Sequence, residues 1–232
     1  GNPRKGFMIP RIAHFVWFGD LPAWVVDIMA EFELRNPDWD MRLWQDYPAD
    51  TPDAIRIRDK ACWQQCQRAD LMYIWLLYSQ GGVCLDTDAV CLRSFEPLRE
   101  MDFWTSRHND ADHRLTNGVM GSAPGSVGVS ACLDYILNSD PSSPVPRCYY
   151  GPTMLTELFD VRKASGLTVI PWHYHYPYPW SERATAHQLW KANQADRAVM
   201  LDSIKGRFVD GEPPYSVHLW GIEGSSQTKV GP

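Results

Sequence analysis

The sequence predicts one α/β domain over residues 1–232, with a mostly parallel central sheet flanked by helices. Over residues 12–90, strand-like and helix-like segments alternate, which is typical of a parallel sheet. One of the helical segments carries apolar residues around most of its circumference, so it is expected to lie buried against that sheet. A chain of 232 residues with no internal repeat or low-complexity linker fits a single domain with a sizeable core.

The first two strands and the helix between them are predicted from local composition. Residues 12–18 are rich in β-branched and aromatic side chains, which favours a strand. Pro22 is well placed to open a helix, and apolar residues at helical spacing follow until Asn36-Pro37 ends it. Residues 41–44 are predicted to form a second strand, and the Pro- and Asp-rich residues 46–53 a loop.

The buried helix is predicted over residues 61–79, and Gly81-Gly82 stops it before a short acidic strand. The second half of the chain is less periodic. Its predicted elements are helices at 127–137 and 153–159 and a strand at 167–170.

Composition and charge narrow the class of protein. A net charge of −6 disfavours a broad nucleic-acid surface. The longest apolar stretch, residues 71–78, is too short to span a bilayer, and the N-terminus has no apolar segment typical of a signal peptide. The six cysteines lack the paired spacing of a zinc site, so we expect reduced thiols in a cytoplasmic protein.

The most informative segment is residues 80–90, where a Gly-Gly turn opens into an apolar strand that ends in two carboxylates, Asp86 and Asp88. Alternate side chains of a strand face the same way, so these two are predicted to lie together. Their charges repel unless a cation lies between them, and hard oxygen ligands suit Mg²⁺ or Mn²⁺, which recruit substrate phosphates. Such triplets also mark solvated turns, but the buried strand favours a metal and diphosphate site at its carboxyl end.

Two further groups are expected near these carboxylates. Asp70 and Tyr73 lie three residues apart on the buried helix and share a face, so both are predicted to look into one cleft. A carboxylate in an early helical turn also stabilises the helix electrostatically, and that explanation stays open. Trp17 ends the first strand; beside the acidic strand its ring would stack a nucleobase, the alternative being a core tryptophan.

Residues 215–221 alternate like a strand and put His218 and Trp220 on one side. Neutral imidazole is a good ligand for Mn²⁺, so His218 is a candidate metal ligand, with a structural histidine as the alternative. The aromatic, Pro-punctuated residues 171–180 cannot form a central strand. We expect His173 and His175, within that run, to lie in a mobile loop on the acceptor side.

Two other functions fit parts of the sequence. The string from Asp86 to Val90 also fits the nucleophile loop of haloacid-dehalogenase-like phosphatases, in which that loop follows the first strand. Here a helical layer precedes it, and no convincing acidic pair follows the lysines downstream. A non-catalytic carbohydrate-binding module would explain the 11 Trp and 10 Tyr, but not the carboxylate pair at a strand end.

In this order the segments resemble the metal-dependent glycosyltransferases whose sugar-binding region carries the DXD motif. This family includes yeast outer-chain mannosyltransferases, bacterial capsule transferases and, more distantly, the glucosyltransferase domains of large clostridial toxins. The resemblance covers most of the chain. It is carried by residues 9–19, Asn36-Pro37-Asp38-Trp39 with Trp44, 68–88, Asn117-Gly118 through Ser122, Gly151-Pro152 and 217–220.

The resemblance implies a GT-A fold, a nucleotide-sugar donor, bound Mn²⁺ (or Mg²⁺) and retention of the anomeric configuration. By position, Asp88 would ligate the metal directly and Asp86 would contact the metal and the ribose. His218 would complete the metal shell or touch the diphosphate, with Trp220 against the phosphates.

The same resemblance gives roles on the sugar and base side. Trp17 would stack on the donor base, Asp70 would hold the donor sugar, and Asn117 would lie near the sugar or the acceptor. Many relatives carry Arg where this chain has Tyr73, which offers a hydroxyl and a flat ring, so a less polar donor-sugar pocket is predicted.

The substrates are only partly indicated. A UDP-sugar is favoured over a GDP-sugar by resemblance alone. The acceptor is open among a glycan, a lipid-linked sugar, a protein side chain and a modified nucleic-acid base, with polysaccharide assembly as the default.

Overall fold

The computed structural model describes residues 8–109, 113–192, 202, 204–208 and 211–221. Within these residues, six strands form one mixed sheet and two more form a small second sheet. The strands are β1 (Ile12–Val16), β2 (Asp40–Trp44), β3 (Gly82–Leu85), β4 (Ala89–Cys91), β5 (Phe103–Ser106), β6 (Val119–Ser122), β7 (Thr168–Ile170) and β8 (Ser216–His218). The α-helices are α1 (Ala23–Arg35), α2 (Asp53–Asp59), α3 (Gln65–Ser79), α4 (Val127–Leu137) and α5 (Arg183–Ala192).

The large sheet has the strand order β2-β1-β3-β6-β5-β7. β1 pairs in parallel with β2 and β3, β5 pairs in parallel with β7, and β6 runs antiparallel to both of its neighbours. Five of the six strands therefore point the same way, which confirms the mostly parallel sheet. β1 and β3 are neighbours, so their carboxyl ends meet at one edge of the sheet.

Helix α3 is the predicted buried helix, and it packs against the sheet and alongside α4, which also contacts the sheet. Its residues Leu71 to Leu77 are all buried, in agreement with apolar side chains all round. Each fully buried large aliphatic side chain contributes about 1.5–3 kcal/mol, so this helix is a rigid support for whatever projects from its other residues. The helix begins at Gln65 because Gln64 and Gln67 cap it reciprocally.

The turn from α3 into β3 depends on Gly81 and Gly82, which have positive φ angles of 68° and 100°. Only glycine adopts such angles without strain. The buried His14 of β1 fixes the same turn, because its Nε2 lies 2.8 Å from the Gly81 carbonyl oxygen while its Nδ1 accepts from the Trp44 indole. Burial lowers the pKa of His14 to about 4, so the ring is neutral and joins β1, β2 and the turn.

Several elements differ from the sequence-based expectation. Helix α2 and strands β5 and β6 are present but were not predicted. The helix expected at 153–159 consists of wide, π-type turns at Tyr149–Thr153 and Thr156–Val161, because Gly151 has non-helical angles and Pro152 has no N–H to donate.

Residues 171–180 form no central strand, as predicted, but the expected mobile loop is wrong for His175. That side chain is fully buried, stacks on Trp104 with ring centroids 5.4 Å apart and contacts the Ser216 hydroxyl through Nδ1. Tyr176 and Tyr178 of this segment are buried as well, whereas Trp180 at its end is exposed. Among the described residues, none of the helices combines the length and the apolar character that a membrane crossing requires.

Candidate active site

A cavity of about 800 Å³ opens at the edge of the sheet where β1 and β3 end. The structure brings all of the sequence-predicted site residues to its lining. They are Trp17, Asp70, Tyr73, Asp86, Asp88, Asn117, His218 and Trp220.

The two carboxylates lie in the tight turn that joins β3 to β4, so strand alternation is the wrong reason for their proximity. β3 ends at Leu85, and the Asp86 amide donates to the Gly118 carbonyl at 2.6 Å. The Ala89 amide then donates back to the Asp86 carbonyl at 2.9 Å, which closes the turn. The Asp86 side chain is 36% exposed and that of Asp88 14%, so Asp88 is the more enclosed of the two and both are reachable from the cavity.

His218 reaches the carboxylates through strand pairing. β8 pairs antiparallel with β4, and this register sets His218 opposite Ala89. Its Nε2 lies 3.1 Å from Asp86 Oδ2 and 3.4 Å from Asp88 Oδ1. One ligand atom from each of the three residues lies within 4.8 Å of the others, a spacing that suits coordination of a single ion.

The electrostatics of this triad favour a cation. Burial raises the pKa of Asp86 and the adjacent Asp88 charge raises it further, while the contact with His218 lowers it. Burial acts against a charged His218, but Asp88 and Asp86 together raise the pKa of the imidazole. Two enclosed carboxylates that need a positive partner form the environment in which a divalent cation is stabilised.

The space beside the triad also fits a metal ion. A Cβ atom at Gly118 would come within 2.8 Å of Asp86 Oδ2 and 3.0 Å of His218 Nε2, so the glycine leaves room around both ligand atoms. Two carboxylates and one imidazole are ligands that suit Mn²⁺ or Mg²⁺. The Trp220 amide donates to His218 Nδ1 at 3.1 Å, so ligation through Nε2 requires the ring proton to change nitrogen.

Asp70 faces the triad from helix α3. Asn117 Nδ2 donates to Asp70 Oδ1 at 2.5 Å, which joins two predicted sugar-binding residues. Burial and the neighbouring Asp86 charge raise the pKa of Asp70 to about 7, while the hydrogen bond from Asn117 opposes the shift. Asn117 itself packs against Gly151, where a Cβ would come within 2.7 Å of its Oδ1. The Gly151-Pro152 pair thus makes room for the Asn117 side chain.

The aromatic residues Trp17 and Tyr73 both make contacts with other protein groups, and Tyr73 is the more deeply buried. Trp17 packs edge-on against Trp24, with ring centroids 5.4 Å apart, and its Nε1 donates to the Asp20 carbonyl at 2.7 Å. Tyr73 is 1% exposed and its hydroxyl donates to the Leu85 carbonyl at 2.8 Å. The buried Tyr73 ring still borders the cavity. That it contacts a donor sugar stays a prediction.

The strand expected over residues 215–221 does not continue to Trp220. β8 ends at His218, and Trp220 adopts a left-handed conformation with a φ of 61°. This bend brings its ring to 4.6 Å from the His218 ring, between centroids, and lets its Nε1 donate to the Tyr178 carbonyl at 2.7 Å. The two rings lie on the same wall of the cavity because the chain bends after His218. Alternation of side chains along a strand, the expected reason, does not apply.

Sequence reasoning gave no site role to several lining residues, among them Trp24, Arg114, Arg147 and Tyr176. Arg147 is exposed to the cavity, and its charge lowers the pKa of Asp70 against the effect of burial. The two arginines follow no motif or periodicity, so the sequence carries no signal for them. Tyr176 lies in the aromatic run that was assigned to a mobile loop.

Comparison with known proteins identifies the class to which this site belongs. Residues 11–118 match the family model described as a glycosyltransferase sugar-binding region containing the DXD motif. Residues 11–118, just under half of the chain, are therefore similar to the sugar-binding region of DXD-type glycosyltransferases. The class recognised from the ordered motifs is confirmed, and it is favoured over the phosphatase and carbohydrate-binding alternatives.

Two fungal glycosyltransferases are similar in sequence. Inositol phosphoceramide mannosyltransferase 3 of Schizosaccharomyces pombe is 31% identical over 125 residues, which cover 50% of this chain and 34% of that protein. Mannosyl phosphorylinositol ceramide synthase CSH1 of Saccharomyces cerevisiae is 28% identical over 144 residues, which cover 53% of this chain and 36% of that protein. The matches thus span about a third of the length of these curated relatives.

Solved glycosyltransferase structures share the fold. The glycosyltransferase domain of the YGT toxin aligns with a TM-score of 0.52 at 12% identity, covering 85% of this chain and 90% of that chain. The apo form of GlyE from Streptococcus pneumoniae TIGR4 aligns with a TM-score of 0.52 at 13% identity, covering 93% and 55%. At such low identity the likeness concerns the fold, and the GT-A expectation is confirmed.

Proposed function

We propose that the protein transfers a sugar from a nucleotide-sugar donor, with a UDP-sugar favoured, to a hydroxyl group of an acceptor. The observation that carries this proposal is the convergence of Asp86, Asp88 and His218, with ligand atoms within 4.8 Å of one another, inside the cavity of a DXD-type glycosyltransferase. The proposed cofactor is Mn²⁺ or Mg²⁺ held by these three side chains.

The three ligands act on the leaving group. When bound, the dication stabilises as a Lewis acid the negative charge that develops on the departing nucleoside diphosphate. Asp88, the less exposed carboxylate, and Asp86 would both hold the ion. His218 would be the third ligand, and Trp220, whose ring lies beside that of His218, would contact the phosphates.

The remaining lining residues orient the donor. Trp17 stacks on the base, while Asp70 and Asn117, already hydrogen-bonded to each other, hold the sugar. Holding both ends of the donor fixes the anomeric carbon at the end of β3, which lowers the entropy cost of the reaction. We include retention of configuration in the proposal on the strength of the resemblance alone, and a front-face reaction of this kind would need no strong protein base.

The acceptor is proposed as a glycan or another hydroxyl-bearing molecule. The two fungal relatives are named for mannose transfer and for inositol phosphoceramide. A mannose donor therefore belongs in any donor panel, beside the UDP-sugars that resemblance favours.

Donor hydrolysis tests the proposal without knowledge of the acceptor. The protein is incubated with a panel of nucleotide-sugars plus Mn²⁺, and released nucleoside diphosphate and free sugar are measured. We expect slow hydrolysis of one donor class, its loss on chelation and its return with added Mn²⁺. Turnover of small phosphomonoesters that disappears in Asp86→Asn, with no donor hydrolysed, would instead support the phosphatase alternative.

A further inference from the structure

Tyr176 places a hydroxyl group inside the protein without a hydrogen-bond partner among the described residues. The side chain is 1% exposed and Oη is buried. The Thr116 side chain and the Val119 backbone lie close enough to influence the hydroxyl, but neither makes a well-formed hydrogen bond with Oη. Buried hydroxyls are nearly always paired, so an unpaired one indicates a partner that it meets when the site is loaded.

The Tyr176 hydroxyl faces the metal ligands. A Cβ atom at Gly118 would come within 3.0 Å of Tyr176 Oη, 3.0 Å of His218 Nε2 and 2.8 Å of Asp86 Oδ2. The three atoms therefore surround one point above the Gly118 backbone. Rotation about its χ angles lets the Asp86 carboxylate turn an oxygen toward this point.

The segment that carries Tyr176 is held in the same frame as His218. The His218 amide donates to the His175 carbonyl at 3.1 Å, and the Tyr215 amide donates to the Tyr174 carbonyl at 2.7 Å. The Tyr176 ring packs 5.3 Å from the His218 ring, between centroids. Tyr176 and His218 are thus positioned together relative to Asp86.

Metal binding changes what Asp86 can accept. As the side chains lie, Asp86 Oδ2 is the partner of His218 Nε2 at 3.1 Å. A ring nitrogen that ligates an ion points its lone pair at the ion and no longer donates to a neighbour. Carboxylates that ligate a metal are normally held by a hydrogen bond from a second residue. The Tyr73 hydroxyl also lies beside Asp86, but its one hydrogen is donated to the Leu85 carbonyl at 2.8 Å, so the Tyr176 hydroxyl is the donor left for Asp86.

We propose that Tyr176 is a positioning residue for Asp86, whose carboxylate accepts the Tyr176 hydroxyl hydrogen bond once His218 turns to the dication. This inference rests on the metal site of the proposed function. Tyr176 does not touch the ion; it fixes the orientation of the carboxylate that does.

The test uses Tyr176→Phe, which keeps the ring and removes only the hydroxyl. Mn²⁺ is titrated into the protein without donor, and free Mn²⁺ is followed by electron paramagnetic resonance. We expect Mn²⁺ affinity to fall by roughly 10- to 100-fold. In the presence of chelator, the melting temperature should equal or exceed that of wild type, because the substitution removes an unpaired buried hydroxyl. Tyr178→Phe is the matched control, since Tyr178 is 3% exposed on the same segment and should leave Mn²⁺ affinity unchanged.

Two results would overturn the inference. Equal Mn²⁺ affinity in Tyr176→Phe and wild type would show that the hydroxyl does not hold Asp86. A melting temperature several degrees lower with chelator would show that the hydroxyl has a structural partner already. Failure of wild type to bind Mn²⁺ is a separate outcome, because it would overturn the metal site itself.

Discussion

The two walls of the cavity reach their positions by different routes. One wall carries Trp17, Asp70, Asp86 and Asp88, which all lie on successive elements between β1 and β4. The other carries His218, which is 132 residues beyond Asp86 in sequence and arrives through the three-residue pairing of β8 with β4. The first wall is built from elements that are neighbours along the chain, whereas the second depends on contacts between segments far apart in sequence.

The walls also differ in how firmly they are anchored. Helix α3 lies within the largest apolar cluster and contributes a continuous buried run from Leu71 to Leu77. The C-terminal wall is joined to the smallest of the three clusters, through Val217 and Leu219. Local opening costs less where fewer apolar side chains are buried, so bound metal and donor should stabilise the C-terminal wall most.

The largest loss of activity is expected from a substitution in the wall formed by β1 to β4. Asp88→Asn removes a metal ligand without changing side-chain volume, so donor hydrolysis should fall by roughly 100-fold or more while the melting temperature stays close to that of wild type. Steady-state release of nucleoside diphosphate measures this. Asp134→Asn, on the exposed side of α4, is the control and should be as active as wild type. Normal turnover by Asp88→Asn would rule out the metal site.

Removing the C-terminal ligand should have a somewhat smaller effect. His218→Ala leaves two carboxylates in place, so we expect Mn²⁺ and nucleotide affinity to weaken together by roughly 10- to 100-fold. A protein that ends at Pro214 should weaken both at least as much, because it also loses the apolar contacts of β8. Calorimetry with His113→Ala as the exposed control checks this. Unchanged affinity in both variants would make His218 a structural residue.

Asp70, on helix α3, provides a pH-dependent test of the electrostatics of this wall. Its pKa of about 7 in the folded protein lies above the ordinary value of 3.8, so the folded state disfavours its charge. The cost is present above pH 7, shrinks as pH falls through 7 and is gone below about 4, where folded and unfolded chains are both protonated.

With chelator present, Asp70→Asn should therefore raise the free energy of unfolding by about 2 kcal/mol at pH 8. This figure is smaller than the full pKa shift implies, because solvent in the cavity screens part of the charge. The gain should be smaller at pH 5, and donor hydrolysis should be lost. Urea melts at the two pH values measure the difference. An equal or negative change at pH 8 would show that the Asp70 charge is well solvated.

The smallest expected effect is at Tyr73. Tyr73→Phe leaves the Leu85 carbonyl without its side-chain donor, which should cost about 1 kcal/mol of stability. Comparing donor panels for wild type, Tyr73→Phe and Tyr73→Arg tests the prediction of a distinctive sugar pocket. Identical donor preference in all three would show that Tyr73 acts in the core alone.

Sequence reasoning succeeded where a side chain's position follows from its nearest elements. The buried helix, the Gly81-Gly82 turn and the strand before Asp86 each have a local pattern, and together they place the carboxylates at the sheet edge. Even there the physical reason differed, because the carboxylates share a turn rather than a strand face.

Positions set by long-range packing were harder to predict. The burial of His175 and Tyr176 depends on β8 and Trp104, and neither neighbour is near them in sequence. Strands β5 and β6 are short and lack a clear alternation of polar and apolar residues. Arg147 lines the cavity next to Cys148, whose positive φ of 64° has no clear signal in the sequence.

The central claim is that the wall formed by β1 to β4 and the C-terminal wall that carries His218 meet on one metal ion. Diffraction from crystals grown with Mn²⁺ and a nucleoside diphosphate, recorded at a wavelength where manganese scatters anomalously, tests it most directly. We predict a single strong anomalous peak between Asp86, Asp88 and His218, with the diphosphate against it. A well-occupied peak elsewhere, or bound diphosphate without a peak at the triad, would contradict the account.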